Sequence, residues 1–388
     1  MSVTFIHTAD WQLGKSFANV EDPQKRALLQ QERLNVLRRV ATVAEERGAT
    51  FILVAGDVFD SNSPTKATVS AACSAIGEMS LPVFAIPGNH DHAGPGSVWE
   101  QPYFQRERAT LAPNLEVLTA AHPVGRANVV LFPCPLLRRH DASDGTAWLR
   151  GSDPWSGRFG DAPRIVLAHG SVQEFGRQAD DDSANDESVN LIEVSRLEAG
   201  GYDYLALGDW HGTKQVSPHG WYAGTPELDR FPKGDGQQPG GVLLVTAARG
   251  QPPQVERVPT ARFRWHELAF TLSDDTTLPE LERRLTELVG TRAGEDLIRL
   301  ELDGMLGIEA TTRLEESLEA WRARLLRLRL TNRTTVAPSA DELHALVARV
   351  SDPLIARVAS ALAARSAGTS EDAAITRLAL RELHAACR

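Results

Sequence analysis

The chain has 388 residues, 42% of them hydrophobic and 24% charged, which is typical of a globular protein and long enough for two domains. No apolar run approaches the roughly 20 residues of a membrane helix, and the N-terminus lacks signal-peptide features, so we expect a cytoplasmic protein with no membrane partner. The net charge is −10, so any attraction for DNA must come from bound metals, a local basic surface or a partner subunit.

The first part of the chain alternates strand and helix patterns in βαβ fashion. A helix is predicted over residues 22–47 because its apolar residues recur at three- and four-residue spacings. Short apolar strands are predicted at 3–8, 51–55, 83–86, 165–168 and 204–207, with further strands at 115–118, 129–132 and 241–246.

Five of these predicted strands run directly into residues that bind metals. They precede Asp10, Asp57, the triplet Asn89-His90-Asp91, His169, and the pair Asp209 and His211. Such a series suggests a parallel sheet whose carboxyl edge gathers these side chains, which is the edge where α/β sheets bind ligands. Mixed oxygen and nitrogen donors suit two divalent ions that clamp a phosphoryl group.

Each motif alone also has a structural explanation. Asp57 after a glycine is often a helix-capping turn, and Asn89-His90-Asp91 can form a turn without any chemistry. Trp11 and Trp210 flank ligand positions and either wall the metal loops or stack on a base. The five motifs in order favour a metal site over five independent turns.

The second part of the chain predicts further organisation. Residues 178–190 are acidic and predict either a solvated insertion or a flap that repels misplaced nucleic acid. Residues 1–260 would form the metal-binding domain and 261–335 a small α+β cap. Residues 336–388 would form a helical segment that could dock a partner. Within the cap the pattern predicts strands at 263–272, 297–302 and 325–330, and helices at 278–289 and 310–321.

The motifs resemble the ordered motifs of the calcineurin-like metallophosphoesterases. They are residues 10–14 (DWQLG), 56–60 (GDVFD), 88–91 (GNHD), 169–170 (HG) and 208–211 (GDWH). Residues 7–11 (HTADW) and 222–227 (YAGTPE) are similar to the DNA-repair exonuclease branch, the SbcD/Mre11-type nuclease subunits. The resemblance implies a four-layer α/β/β/α sandwich with a small C-terminal α+β cap and a helical tail.

The resemblance also implies roles for the site residues. Two divalent metals would be bridged by Asp57. Asp10, Gln12 and His211 would complete one metal site, and Asn89, His169 and Asp209 the other. His90 would lie beside the scissile phosphate with Asp91 holding its ring, and a metal-bound hydroxide would be the nucleophile.

Two positions depart from the family pattern. The first motif normally ends in His where this chain has Gln12, and the last normally reads Gly-His-x-His where this chain has Asp209. Both replacements exchange nitrogen for oxygen, which favours Mn²⁺, or alternatively Mg²⁺, over zinc. They leave open whether Gln12 and Asp209 bind metal or weaken the site.

The favoured function is metal-dependent hydrolysis of DNA phosphodiesters, of exonuclease type. The resemblance implies a coiled-coil ATPase partner of the SbcC/Rad50 type and a homodimer. One alternative is a phosphodiesterase or phosphatase for small nucleotides or phosphoesters, which requires a closed pocket. The other is a scaffold subunit with a catalytically weakened site.

Overall fold

A computed structural model describes residues 2–126, 128–150, 155, 157–172, 189–197, 201–231, 238–292, 294–336, 339–366 and 370–387. The chain divides after Arg262 into two units, residues 1–262 and 263–388. Most of the acidic segment 178–190 lies outside the described residues. The division of the second unit into a cap and a separate helical segment stays a prediction.

The first unit contains two six-stranded sheets. Its strands are β1 Ser2–Thr8, β2 Ile52–Ala55, β3 Val83–Ile86, β4 Leu115–Val117, β5 Val124–Arg126, β6 Val129–Cys134, β7 Arg164–His169, β8 Ser171–Val172, β9 Leu191–Ile192, β10 Tyr204–Gly208, β11 Lys214–Ser217, β12 Gly220–Tyr222, β13 Gly241–Ala248 and β14 Gln254–Pro259. The first sheet has the order β14-β13-β1-β2-β3-β4, and the second has the order β11-β12-β10-β7-β6-β5. β8 and β9 form a separate pair.

The strands that lead into the metal-binding motifs are parallel but divided between the two sheets. β1, β2 and β3 are parallel neighbours in the first sheet, and β7 and β10 are parallel neighbours in the second. The single parallel sheet that the sequence pattern suggested is therefore wrong. The site forms where the carboxyl edges of two stacked sheets meet.

The helices of this unit cover the outer face of the first sheet. They are α1 Pro23–Glu46, α2 Lys66–Gly77 and α3 Pro102–Leu111. Asp22 caps α1 by accepting the backbone N–H groups of Gln24 and Lys25, which satisfies donors at the helix start. Alternation along β1 directs Ile6 toward these helices and Phe5 into the core between the sheets.

Apolar side chains fill the space between the two sheets. The ring of Phe5 stacks on Phe51 with centroids 5.0 Å apart, and it meets Tyr204 of the second sheet edge-on at 5.6 Å. The outer face of the second sheet is covered, within the described residues, by short 3₁₀ helices at Ala147–Leu149 and Val194–Arg196 and by aromatic rings around Phe132. The predicted mixed α/β sandwich fold is confirmed.

The second unit is a parallel sheet with helices. Its strands are β15 Arg264–Leu272, β16 Asp296–Leu306, β17 Arg327–Asn332 and β18 Thr335–Val336, and its helices are α4 Leu278–Val289, α5 Ile308–Arg324, α6 Ala340–Val347, α7 Pro353–Arg365 and α8 Glu371–Ala386. α4 and α5 pack their apolar faces on one side of the sheet. In the part of the chain that the structure describes, no helix has both the length and the apolar character to span a bilayer.

Candidate metal centre

All nine predicted site residues follow the strands whose carboxyl ends meet. They are Asp10 and Gln12 after β1, Asp57 after β2, Asn89, His90 and Asp91 after β3, His169 at the end of β7, and Asp209 and His211 after β10. The two sheets touch here, since the Asp209 backbone N–H lies 3.2 Å from Oδ1 of Asp10. The sequence pattern thus locates one edge of the sandwich.

The loops that carry the acidic residues hold an uncommon backbone conformation. The angle φ is 54° at Asp10, 43° at Gln12, 55° at Asp57 and 100° at Asp209. A left-handed conformation costs a residue other than glycine roughly 1–2 kcal/mol, so the surroundings must hold it. Two backbone hydrogen bonds do so, from Asp10 N–H to the carbonyl of Gly56 at 3.1 Å and from Gln12 N–H to that of Asp57 at 2.9 Å.

Arg33 of α1 also holds the first loop. Its guanidinium is buried and donates to the carbonyl oxygens of Asp10 at 2.8 Å, Trp11 at 2.6 Å and Glu227 at 2.7 Å. Burial lowers the pKa of Arg33, while neighbouring carboxylates including Asp229 oppose that effect. The cation therefore ties the backbone of the left-handed loop to the helix and to the segment around residue 227.

Sequence reasoning missed Arg33, although a signal was present. Arg33 lies four residues after Leu29 and four before Leu37, and both leucines are buried on the inner face of α1. A charged residue inside an apolar stripe at helical spacing must find buried acceptors. No pattern in the sequence identifies those acceptors as the carbonyls of a ligand loop.

Glycines allow the loops to approach each other. A Cβ atom at Gly56, where φ is 92°, would lie 2.2 Å from Nδ1 of His169. One at Gly88 would lie 2.2 Å from Oδ1 of Asp57, and one at Gly208 would lie 1.9 Å from the carbonyl oxygen of Ala55. Each distance is far below van der Waals contact, so these positions require glycine.

Three of the predicted ligands form a compact cluster. Ligand atoms of Asp10, Asp57 and His169 all lie within 4.8 Å of one another, and all three side chains are buried. Nε2 of His169 lies 3.2 Å from Oδ1 of Asn89 and 3.9 Å from Oδ1 of Asp209. This set of carboxylate, amide and imidazole donors fits a divalent cation.

The electrostatics of His169 support a cation at this cluster. Burial lowers the pKa of His169, but the carboxylates of Asp57, Asp10 and Asp209 together raise it to about 9. Nδ1 lies 2.8 Å from the carbonyl oxygen of Ala55, which favours a proton on Nδ1 and directs Nε2 toward the acidic groups. The cluster therefore demands positive charge where Nε2 faces the carboxylates.

The His211 side of the site is arranged differently. Nδ1 of His211 lies 2.9 Å from Oδ1 of the buried Asp229, while Nε2 lies 3.4 Å from both the Gln12 amide nitrogen and Nη2 of Arg230. Burial opposes ionisation of Asp229, but His211, Arg230 and Lys15 hold its pKa well below the usual range. Sequence reasoning missed Asp229, because it lies 18 residues beyond His211 with no motif to mark it.

His90 and Asp91 form different hydrogen bonds in the structure. The His90 backbone N–H donates to Oδ1 of Asp57 at 2.9 Å, and Nδ1 of its ring lies 2.9 Å from the carbonyl oxygen of Asp60. The carboxylate of Asp91 accepts the backbone N–H groups of Gly88 at 2.7 Å and Phe59 at 3.0 Å. The Asp60 carbonyl thus orients the His90 ring and Asp91 fixes the loop, while a role of Asp91 in holding that ring stays a prediction.

The two tryptophans beside the ligands differ in exposure. Trp11 is buried and donates from its ring nitrogen to Thr8 Oγ1 at 3.0 Å, so its ring packs within the first loop. Trp210 is half-buried, and Nζ of Lys214 lies 4.8 Å from the centroid of its ring. Only Trp210 of this pair offers a surface to a ligand.

Comparison with known proteins places these features in a family. A solved structure described as TT1561 of Thermus thermophilus aligns at 14% sequence identity and a TM-score of 0.40, covering 67% of this chain and all of that chain. GAP50, described as the anchor in the inner membrane complex of Plasmodium, aligns at 11% identity and a TM-score of 0.38, covering 67% and 85%. The sequence profile of the calcineurin-like phosphoesterases matches residues 3–235. The chain belongs to the calcineurin-like phosphoesterase family.

Proposed function

We propose that this chain is a divalent-metal-dependent phosphodiesterase that hydrolyses DNA, of exonuclease type. The observation that carries the proposal is the buried cluster of Asp10, Asp57 and His169 with His90 bonded to it through Asp57. A divalent ion held there would polarise a phosphoryl oxygen and activate water. The family membership supports phosphoester hydrolysis, and the DNA substrate is our extension of it.

The protein's own residues contribute positioning and proton transfer. The contact of His90 Nδ1 with the carbonyl of Asp60 fixes the ring and favours a proton on that nitrogen. Nε2 can then exchange a proton with the leaving oxygen of the substrate. Because the His90 N–H binds Asp57, the loop that carries this ring is fixed relative to the metal cluster.

Two features support a polymeric substrate over a small phosphoester. Beside the cluster, the half-buried Trp210 with Lys214 against its ring is the combination that stacks a base and attracts its phosphate. The motif at residues 7–11 is similar to the exonuclease branch.

The remaining parts of the proposal follow from the donor set and the charge. Oxygen donors outnumber nitrogens, so Mn²⁺ is the favoured ion and Mg²⁺ the alternative. With a net charge of −10, we propose that a coiled-coil ATPase subunit delivers DNA to a homodimer in the cytoplasm.

The test is release of nucleotides from end-labelled single- and double-stranded linear DNA in Mn²⁺. We expect progressive release by the wild type and a loss of roughly 10³-fold or more in Asp57→Ala, because metal ligation stabilises the transition state by several kcal/mol. Asp303→Ala is the matched control, since that carboxylate is exposed in the second unit.

The alternatives have their own outcomes in the same assay. Hydrolysis of small phosphodiesters or nucleotides, lost in Asp57→Ala, with intact DNA would replace DNA by a small substrate. Metal binding without hydrolysis of either substrate class would identify a scaffold subunit and overturn the proposed activity.

A further inference from the structure

The two halves of the predicted dinuclear site differ in how their ligand atoms are satisfied. On the His169 side, the contacts of Nε2 among the described residues are with acceptors, namely Asn89 Oδ1 at 3.2 Å, Asp57 Oδ1 at 3.6 Å and Asp209 Oδ1 at 3.9 Å. Lone pairs that face one another repel unless a proton or a metal ion lies between them. This half of the site therefore requires positive charge at Nε2, which a divalent ion would supply.

On the Gln12 side, protein donors already face the ligand atoms. Nε2 of His211 is approached at 3.4 Å by the Gln12 amide nitrogen and by Nη2 of Arg230. The Gln12 carbonyl oxygen, which would be its metal ligand, accepts a hydrogen bond from Nζ of Lys15 at 2.8 Å. The ligand atoms of Gln12 and His211, two of the residues predicted to bind the first metal, are thus directed toward N–H groups.

Lys15 occupies an oxygen-lined position beside that half. Its ammonium reaches Gln12 Oε1 at 2.8 Å, Asp60 Oδ1 at 3.3 Å and Asp229 Oδ2 at 3.3 Å. The ammonium also fixes the Gln12 amide, because the opposite orientation would point an NH₂ group at a cation. Three oxygen acceptors around one positive charge resemble the surroundings of a bound metal ion.

The grouping of potential ligands agrees with this difference. Among the described residues, Asp10, Asp57 and His169 are the one group of three or more His, Cys, Asp or Glu side chains with ligand atoms this close, and His211 is not part of it. Asp209, where the family has histidine, adds a carboxylate to the same half. Gln12 therefore weakens metal binding on the His211 side, and Asp209 strengthens it on the His169 side.

We propose that the chain binds a single divalent ion tightly, on the His169 side, and that the Lys15 ammonium supplies the positive charge of the other half. This inference rests on the metal dependence in the proposed function. It assigns Lys15 and Gln12 as a pair that excludes the second ion. Lys15 then lies beside the site as a fixed cation for the substrate phosphate.

The experiment measures bound manganese, independently of activity. Protein equilibrated with Mn²⁺ is desalted and analysed for metal per chain by mass spectrometry, and its paramagnetic resonance spectrum distinguishes isolated from coupled ions. We expect one ion per chain with an isolated spectrum in the wild type, and none in His169→Ala. The double variant Gln12→His with Lys15→Met should bind two ions with a coupled spectrum.

Controls and contrary results are defined by the same measurement. Lys66→Met removes an exposed lysine at the start of α2 and should retain one ion. Thermal unfolding establishes that each variant is folded. Two tightly bound ions in the wild type, or one in the folded double variant, would overturn the inference and leave the hydrolase proposal standing. A wild type that binds no ion would overturn both.

Discussion

Both units of the chain contain parallel strands, but the residues that follow the carboxyl ends of these strands differ. In the first unit, the strands lead into Asp10, Asp57 and Asp209, all with positive φ. In the described part of the second unit, no residue other than glycine has a positive φ. Among the described residues, left-handed acidic residues are therefore confined to the sheet edge that carries the metal cluster.

Acidic residues also follow the strands of the second unit's sheet, where they serve the backbone. Asp274 after β15 accepts the backbone N–H of Thr276, and Asp275 accepts that of Gly307 at 2.6 Å. Asp303 within β16 pairs with Arg333. A parallel sheet that ends in carboxylates is thus insufficient for a site. The first unit adds a strained loop geometry that turns the carboxylates toward one point.

The largest expected effect comes from two glycines that both have a positive φ. Gly56 and Gly290 both have positive φ, 92° and 65°, but a Cβ at Gly56 would lie 2.2 Å from His169 and one at Gly290 would meet nothing within 4 Å. Gly290→Ala should cost roughly 1–3 kcal/mol of stability, because φ 65° with ψ −136° is a conformation that favours glycine, and leave hydrolysis unchanged. Gly56→Ala should also displace His169 and reduce hydrolysis at least about 10²-fold. Unfolding curves and manganese content distinguish the two, and equal activities would contradict the packing argument.

An intermediate effect is expected from two His–Asp pairs, one buried beside the site and one half-buried in the second unit. Nδ1 of His211 lies 2.9 Å from Asp229 beside the site, and Nε2 of His266 lies 2.7 Å from Asp296 in the second unit. Asp229→Asn should lower kcat/KM by roughly 10- to 100-fold, because a carboxylate behind a site histidine orients its ring. Asp296→Asn should lower the unfolding temperature without changing kcat/KM. An activity loss in Asp296→Asn but not in Asp229→Asn would contradict the conclusion that only the His–Asp pair of the first unit acts on the site.

The strands and the positions of the candidate ligands could be predicted from the sequence because both are local signals. An apolar run of strand length followed by Asp, Asn or His appears as a continuous segment, as at residues 51–57 and 204–211. The predicted helix over 22–47 is confirmed as α1, since the spacing of its apolar residues specifies one buried face. Because parallel strands end at the same edge of a sheet, the residues that follow them are expected to lie close together.

Other features could not be predicted because they depend on contacts between distant segments. The division of the strands into two sheets depends on packing across the core, as between Phe5 and Tyr204. The pairing of His211 with Asp229, and of Lys15 with Gln12, depends on loop conformations that no sequence motif encodes. Composition likewise gives no indication that the carbonyl of Asp60 orients His90.

The smallest expected effect concerns one cation at each sheet edge. Lys214 lies against Trp210 beside the metal cluster, and the exposed Arg333 follows β17 and pairs with Asp303. Replacing either residue by Met makes the net charge more negative by one, so a general electrostatic effect would weaken DNA binding equally in both variants.

If Lys214 contacts a phosphate, Lys214→Met should weaken DNA binding and reduce the slope of log affinity against log salt by about one. Arg333→Met should leave that slope unchanged. Titration of labelled single-stranded DNA at several salt concentrations measures the slope, and parallel changes in the two variants would place the DNA path away from Trp210.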